Sequence, residues 1–393
     1  MVKSAQKRTT QPERTTSLWP RRGLLLALAL VMLVGVLAGL ARLGLPLPGF
    51  LGLGLQSKIS GGHGPLMVLG VFGAVISLER AVAVGTSGQL GPAWSVVTLF
   101  TPTLFAGSAL AALVWPAARA GQAVAALGLV LLNAVLFRHQ KALFTGLLLL
   151  GSIVLFFGTT RFVFVPSVFW AVPTWMTFFI LTIVAERLDL SRLAPTPAWA
   201  FAALAGLSVL LAVLACASVF FPGTFLQGFG AVIFLVALWQ LRFDIARRTW
   251  RRRGLPAYAA TGVMLGAVWL AVTGLLLLFY GLAPAGGVYD ATLHSLFVGY
   301  VLSMVFAHAP IIFPAVAQVT FPFSRALYGP LLLLHVGLLV RVFADLAGQA
   351  QARVLGSVAS SVSLPLFLLT AVAAAIGSGA VKRKGQRDAS GCN

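Results

Sequence analysis

Acidic residues are nearly absent from this chain. Only 8 Asp and Glu stand against 28 Lys and Arg among 393 residues, and all charged residues together make up 9%. Soluble domains carry about 25% charged residues, so the chain lacks the means to cover a water-exposed surface. The two cysteines, Cys216 inside an apolar run and Cys392 near the end, give no basis for a disulfide or a Cys-based metal site. There is no Gly-rich phosphate loop with lysine, no Cys-x-x-Cys, no His-Glu-x-x-His and no serine nucleophile elbow. Phosphate-loop, dithiol, zincin and α/β-hydrolase chemistry therefore fall away.

What the chain has in quantity is apolar sequence, 59% of all residues. Runs of about 20 apolar residues, the length that crosses a hydrocarbon core, fall near 23–42, 62–84, 93–115, 120–137, 143–164, 167–185, 199–221, 223–241, 257–281, 288–313, 326–347 and 354–379. The fold class this predicts is all-α, a polytopic membrane bundle of about twelve transmembrane helices. Residues 1–22 read as a disordered basic cytoplasmic tail, 23–380 as the transmembrane domain and 381–393 as a second basic cytoplasmic tail. The first apolar run exceeds the 7–15-residue core of a signal peptide, which favours a retained span.

The net charge of +20 is explained by where the basic residues lie. With the N-terminus inside, 22 of the 28 fall on one side and six (Arg42, Lys58, Arg119, Arg161, Arg341 and Arg353) on the other or at its span ends. That asymmetry is the positive-inside pattern, and a shift of one span reverses it. It predicts a bacterial inner-membrane protein with both termini cytoplasmic. The expected partner of the basic loops, Arg247–Arg253 included, is the lipid bilayer and its anionic headgroups rather than nucleic acid. Tryptophans such as Trp94, Trp170, Trp175 and Trp250 suit headgroup-level belts.

Ionisable residues inside a bilayer are costly, so those within spans are the first candidates for function. Four of the five histidines qualify: His63, His294, His308 and His335. His139 sits in the basic loop Arg138-His139-Gln140-Lys141 and reads as a solvated residue. In this topology His63 and His294 lie on spans running the same way, each within about two turns of the outer end. Two imidazoles at one depth are what a six-coordinate haem needs, and Gly61-Gly62-His63-Gly64 removes bulk beside one of them. The alternative is a pair of histidines bonded to backbone carbonyls in a helix interface.

His63-Gly64-Pro65-Leu66-Met67 resembles the His-Gly-x-x-Met start of the second helix of haem–copper oxidase catalytic subunits, whose histidine ligates low-spin haem. His294-Ser295-Leu296-Phe297-Val298-Gly299 and Leu338-Leu339-Val340-Arg341-Val342 resemble the NnrS family. That likeness implies a membrane protein of about twelve helices that binds haem, with copper as a second cofactor, and is linked to nitric-oxide stress. Gly299-Tyr300-Val301-Leu302-Ser303-Met304 also resembles the tenth oxidase helix, yet glycine stands where a haem-binding histidine belongs. Four intramembrane histidines are too few for the full oxidase set, which speaks against a proton-pumping oxidase.

His308 follows His294 by 14 residues, about 21 Å of helix, so the two belong to different sites. A second metal site on His308 and His335 is one reading; an interfacial and a packed core histidine is the other. Arg161 and Arg341, toward the outer span ends, suit haem propionates because guanidinium binds carboxylate bidentately. Against that, Arg161 can snorkel to headgroups and Arg341 has Asp345 one turn later. Asp290, four residues before His294, can accept a ring N–H from it or serve as an exposed turn residue. Ser77-Leu78-Glu79-Arg80 and Val184-Ala185-Glu186-Arg187 close spans four apart, hinting at three four-helix units and at a proton entry group in Glu79 or Glu186.

Two functional readings result. One is a haem protein, an oxidoreductase or sensor, that passes electrons from a donor or binds a diatomic gas. The other is a secondary transporter of a small neutral or anionic solute, which the Pro310 and Pro314 break also suits.

Overall fold

A computed structural model describes residues 19–46, 52–86, 92–191, 195–317 and 322–390. Most of the expected N-terminal tail, residues 1–18, lies outside them. Every regular element among the described residues is helical. In lipid each backbone N–H and C=O must be satisfied within the protein, and a helix does so inside one segment.

The helices are α1 (Trp19–Arg42), α2 (Gly52–Pro65), α3 (Ala74–Thr86), α4 (Pro92–Ala111), α5 (Arg119–His139), α6 (Leu143–Phe164), α7 (Val168–Ser191), α8 (Ala198–Ser218) and α9 (Pro222–Phe243). They continue with α10 (Ala246–Thr249), α11 (Leu255–Tyr280), α12 (Gly287–His294), α13 (Ser303–Ala317), α14 (Tyr328–Ala347) and α15 (Ala350–Ser390). Two π-helical segments, Leu66–Gly73 and Ser295–Leu302, join α2 to α3 and α12 to α13, so each of these pairs forms one span. Eleven described helices are long and apolar enough to cross a membrane, and Thr98–Ala111 of α4 is a shorter apolar helix. The protein is an all-α, multi-pass integral membrane protein. α15 runs on to Ser390, through residues expected to be a disordered tail. Lys, Arg, Gln and Ala are good helix formers, and basic groups suit a helix C-terminus.

Successive helices pack against one another as neighbours, the arrangement that short loops impose. The most buried spans are Gln56–Gly85, Val168–Ser191 and Gly287–Ile312, at 67%, 83% and 72%, against 28% for the first and last. Counting α4 as the third span, these three are the second, sixth and tenth, so the centre of the bundle recurs every fourth helix. Phe179 of α7 joins them by edge-to-face contacts with Phe72 at 5.9 Å and Phe297 at 5.7 Å. Small residues allow the closest crossings. A side chain on Gly274 of α11 would meet the Phe234 backbone of α9 at 2.5 Å, and one on Gly356 of α15 would meet the Arg341 backbone of α14 at 2.5 Å.

Candidate functional site

Both central histidines sit at a change in helix type. His294 ends α12 immediately before the Ser295–Leu302 π segment, and His63 lies three residues ahead of the Leu66–Gly73 one. Pro65 between them lacks the N–H that an α-helix would donate four residues back. A π turn inserts one residue, which rotates the helix before it against the helix after it. The rings come together. Their planes are 10° from parallel, with centroids 6.3 Å apart.

Each ring is anchored by one nitrogen. His63 Nδ1 donates to the Gly35 carbonyl of α1 at 2.8 Å, and His294 Nδ1 donates to the Asp290 carbonyl at 2.7 Å. A carbonyl can only accept, so both histidines carry the proton on Nδ1 and present a bare lone pair at Nε2. Among the described residues neither Nε2 has a hydrogen-bond partner. The Asp290 contribution is its backbone carbonyl, not the carboxylate expected from the i,i+4 spacing. In a helix the carbonyl oxygen four residues back lies within reach of the ring nitrogen.

α1 is the element that the chain's histidines do not announce. Gly35-Val36-Leu37-Ala38-Gly39 is a small-xxx-small pattern, and it seats His63. A side chain at Gly39 would meet the His63 ring at 2.8–3.4 Å. The Gly-x-x-x-Gly spacing was the available signal. Cleavage near Ala38 to Ala41 would remove the carbonyl that anchors the ring.

The two histidines face a cavity of about 330 Å³. Its walls are apolar, with Met67, Phe72, Trp175, Phe297 and Leu338 among them. Trp175, expected in a headgroup belt, is fully buried and donates through Nε1 to Thr159 Oγ1 at 3.2 Å. Most of α7 is covered by its neighbours, so Trp175 packs inward instead of reaching the interface.

Arg42, Arg341 and Arg353 line the same cavity, together with Tyr289, Asp290 and Ser357. Arg341 donates to Ser357 Oγ at 2.6 Å, and its Nε lies 3.5 Å from Asp345 Oδ2. Arg353 Nε lies 2.7 Å from Asp345 Oδ1. One buried carboxylate thus serves two guanidiniums. Arg42 is exposed and forms no ion pair among the described residues. Arg161 is not among the cavity-lining residues. Arg42 and Arg353, read from sequence only as outer-side charges, take that place.

His308 and His335 are placed differently. His335 Nδ1 accepts from Trp269 Nε1 at 3.0 Å, and its Nε2 lies 3.3 Å from Ser303 Oγ, which donates to the Gly262 carbonyl. His308 Nδ1 donates to the Met304 carbonyl at 2.8 Å, and its Nε2 lies 3.3 Å from Arg187 NH1. Both nitrogens of both rings are engaged, and no partner is shared between them. No group of three or more potential metal-binding His, Cys, Asp or Glu residues occurs among the described residues. At Gly299 a side chain would meet Trp269 atoms at 2.5–2.9 Å, so the indole packs directly against this glycine.

Arg187 belongs to a polar cluster at the opposite end of the central spans. It binds both carboxylate oxygens of Asp244, at 2.8 and 2.6 Å, while Asp244 Oδ1 also accepts the Ala246 N–H. Arg80 pairs with Glu186 across spans and lies 3.6 Å from Glu79. The two Glu-Arg dipeptides therefore meet. Tyr300 completes the region by donating to Gln240 Oε1 at 3.0 Å.

No curated protein matches this chain. The family described as Domain of unknown function (DUF8744) matches residues 21–376, from the first turn of α1 to deep in α15, and the chain belongs to that family.

Proposed function

We propose that this protein binds haem in the membrane, and that His63 and His294 are the residues that would hold it. The observation that carries the reading is the pair of near-parallel rings 6.3 Å apart, each tied to a carbonyl through Nδ1. With Nδ1 held by a carbonyl, each ring keeps Nε2 available, and both rings border the same cavity, so the two histidines could together hold one metal centre. The second nitrogen of a metal-binding histidine almost always donates to a carbonyl or carboxylate, which sets the tautomer and orients the ring.

The rest of the cavity suits the same group. Apolar walls accept a flat macrocycle, and the Arg42, Arg341 and Arg353 side suits its carboxylates. The haem would supply one-electron redox chemistry. Held by two imidazoles, such a haem would serve electron transfer first, with a diatomic gas as the second reading. His308 and His335, with all four ring nitrogens engaged, form no part of the reading, and neither does copper. The uneven distribution of basic residues supports a bacterial inner membrane with the histidine cavity on the outer side.

The test is an absorption spectrum of the detergent-purified protein, oxidised and reduced, after expression with ample haem. A Soret band near one haem per chain with the α and β bands of a bis-histidine centre is expected. His63→Ala and His294→Ala should each abolish that ligation signature, and His139→Ala should preserve it. A protein that folds normally without a Soret band removes the proposal and leaves a transporter as the reading to pursue.

A further inference from the structure

At the boundary where α8 begins and α9 ends lie two adjoining cavities. One, of about 420 Å³, is lined by Arg242, Arg247, Arg248 and Arg251, with Thr196 and Asp244. The other, of about 610 Å³, is lined by Trp199, Ala203, Leu207, Leu235 and Leu238. Arg242 and Arg248 border both.

The arginines have nothing negative to hold. None of the four pairs with a carboxylate among the described residues. Arg247 reaches only the Arg242 carbonyl at 3.4 Å, and Arg242 and Arg251 lie over the rings of Phe243 and Trp250. Asp244 is the one acid in the lining, but Arg187 and the Ala246 N–H already claim its oxygens. All four are exposed, and an anion placed among them would be met by several guanidiniums at once.

The second cavity specifies what kind of anion. Trp199, Leu235 and Leu238 are 64%, 47% and 43% exposed on segments that cross the membrane, so they face lipid chains. Trp199 stands one residue inside the start of α8, the level at which tryptophan meets headgroups. A ligand filling both cavities has a phosphate at one end and an alkyl chain at the other. Basic pockets between transmembrane helices recognise such headgroups.

We propose that this double cavity is a specific binding site for an anionic phospholipid, its phosphate held by Arg242, Arg247, Arg248 and Arg251 and one acyl chain lying along the α8–α9 groove. The site is independent of the histidine pair and stands whether or not haem is bound.

The test uses the full chain, delipidated in neutral detergent, with phosphatidylglycerol and phosphatidylcholine of identical chains compared by native mass spectrometry. Phosphatidylglycerol should be retained at least about tenfold more tightly, a difference that raised salt erodes. The Arg248→Gln/Arg251→Gln double variant should lose that preference. Ala203→Phe, which fills the groove, should weaken phosphatidylglycerol retention by a similar factor. Arg138→Gln/Lys141→Gln, in a different basic loop, should change nothing.

Four results overturn the site: equal retention of the two lipids, a preference indifferent to salt, an unaltered preference in the arginine variant, or an equal loss in the loop control. Inorganic phosphate that displaces the lipid fully while Ala203→Phe has no effect also overturns it, since that outcome describes an anion site without a chain. If the double variant fails to fold, the salt titration of the wild type decides.

Discussion

Histidines appear at both ends of the central spans, and the two ends treat them in opposite ways. At the cavity end His63 and His294 each spend one nitrogen on a backbone carbonyl and keep the other bare. At the Glu-Arg end His308 has both nitrogens engaged, one by Met304 and one by Arg187, within a cluster where Arg187 and Asp244 satisfy each other. A buried polar group fully satisfied by protein is a structural element. A half-buried lone pair that faces a cavity is available to a ligand, and that contrast separates a binding site from a brace in a chain whose four intramembrane histidines look alike in sequence.

The largest expected effect is at the cavity end. His63→Ala or His294→Ala should eliminate the six-coordinate spectrum, whereas His308→Ala should leave it intact while lowering thermal stability. If His308→Ala altered the spectrum as much, the contrast between the ends would fail. Next in size is Arg187→Ala, which strands the Asp244 carboxylate in a buried setting. Breaking such a pair costs about 3–5 kcal/mol, to be read as a lowered unfolding midpoint with no change in ligation per folded molecule.

Gly39→Leu tests whether α1 positions His63. Its side chain would collide with the ring, and haem affinity measured by transfer to an apo-globin acceptor should fall about tenfold, equivalent to about 1.4 kcal/mol. An unchanged affinity would place the ring's anchorage elsewhere. The smallest effect is Arg42→Gln. It removes one exposed cation from the cavity, so haem release should accelerate a few-fold at low salt, less at high salt, and the spectrum should not move.

Much of the fold was legible because lipid imposes one rule on every span. The apolar runs placed most helices to within a few residues, though α2 begins ten residues before the second run and α15 ends eleven after the last, and among the described residues α4 is the shorter apolar helix. Depth was legible too, since a fixed rise per residue converts sequence position into height. That is how His63 and His294 came to the same level, and how the two Glu-Arg dipeptides came to the other. The arginines were less legible. Arg161 and Arg353 are both basic residues at the same kind of span end, and nothing in their local sequence tells which one turns toward the cavity.

Length, apolarity and charge distribution by themselves determined an all-helical, multi-pass membrane chain with few intramembrane ionisable groups, because lipid admits only helices and closed barrels, and continuous apolar runs of about 20 residues suit helices rather than short alternating strands. Only the tertiary structure decided which nitrogen of each histidine is free, that Gly35 of α1 anchors His63, and that Arg42 and Arg353 stand where Arg161 does not. Height along a helix is a property of the chain, but direction around it depends on each turn before it. Two π segments and the packing of neighbouring helices set that direction here, and neither can be read from the spacing of residues alone.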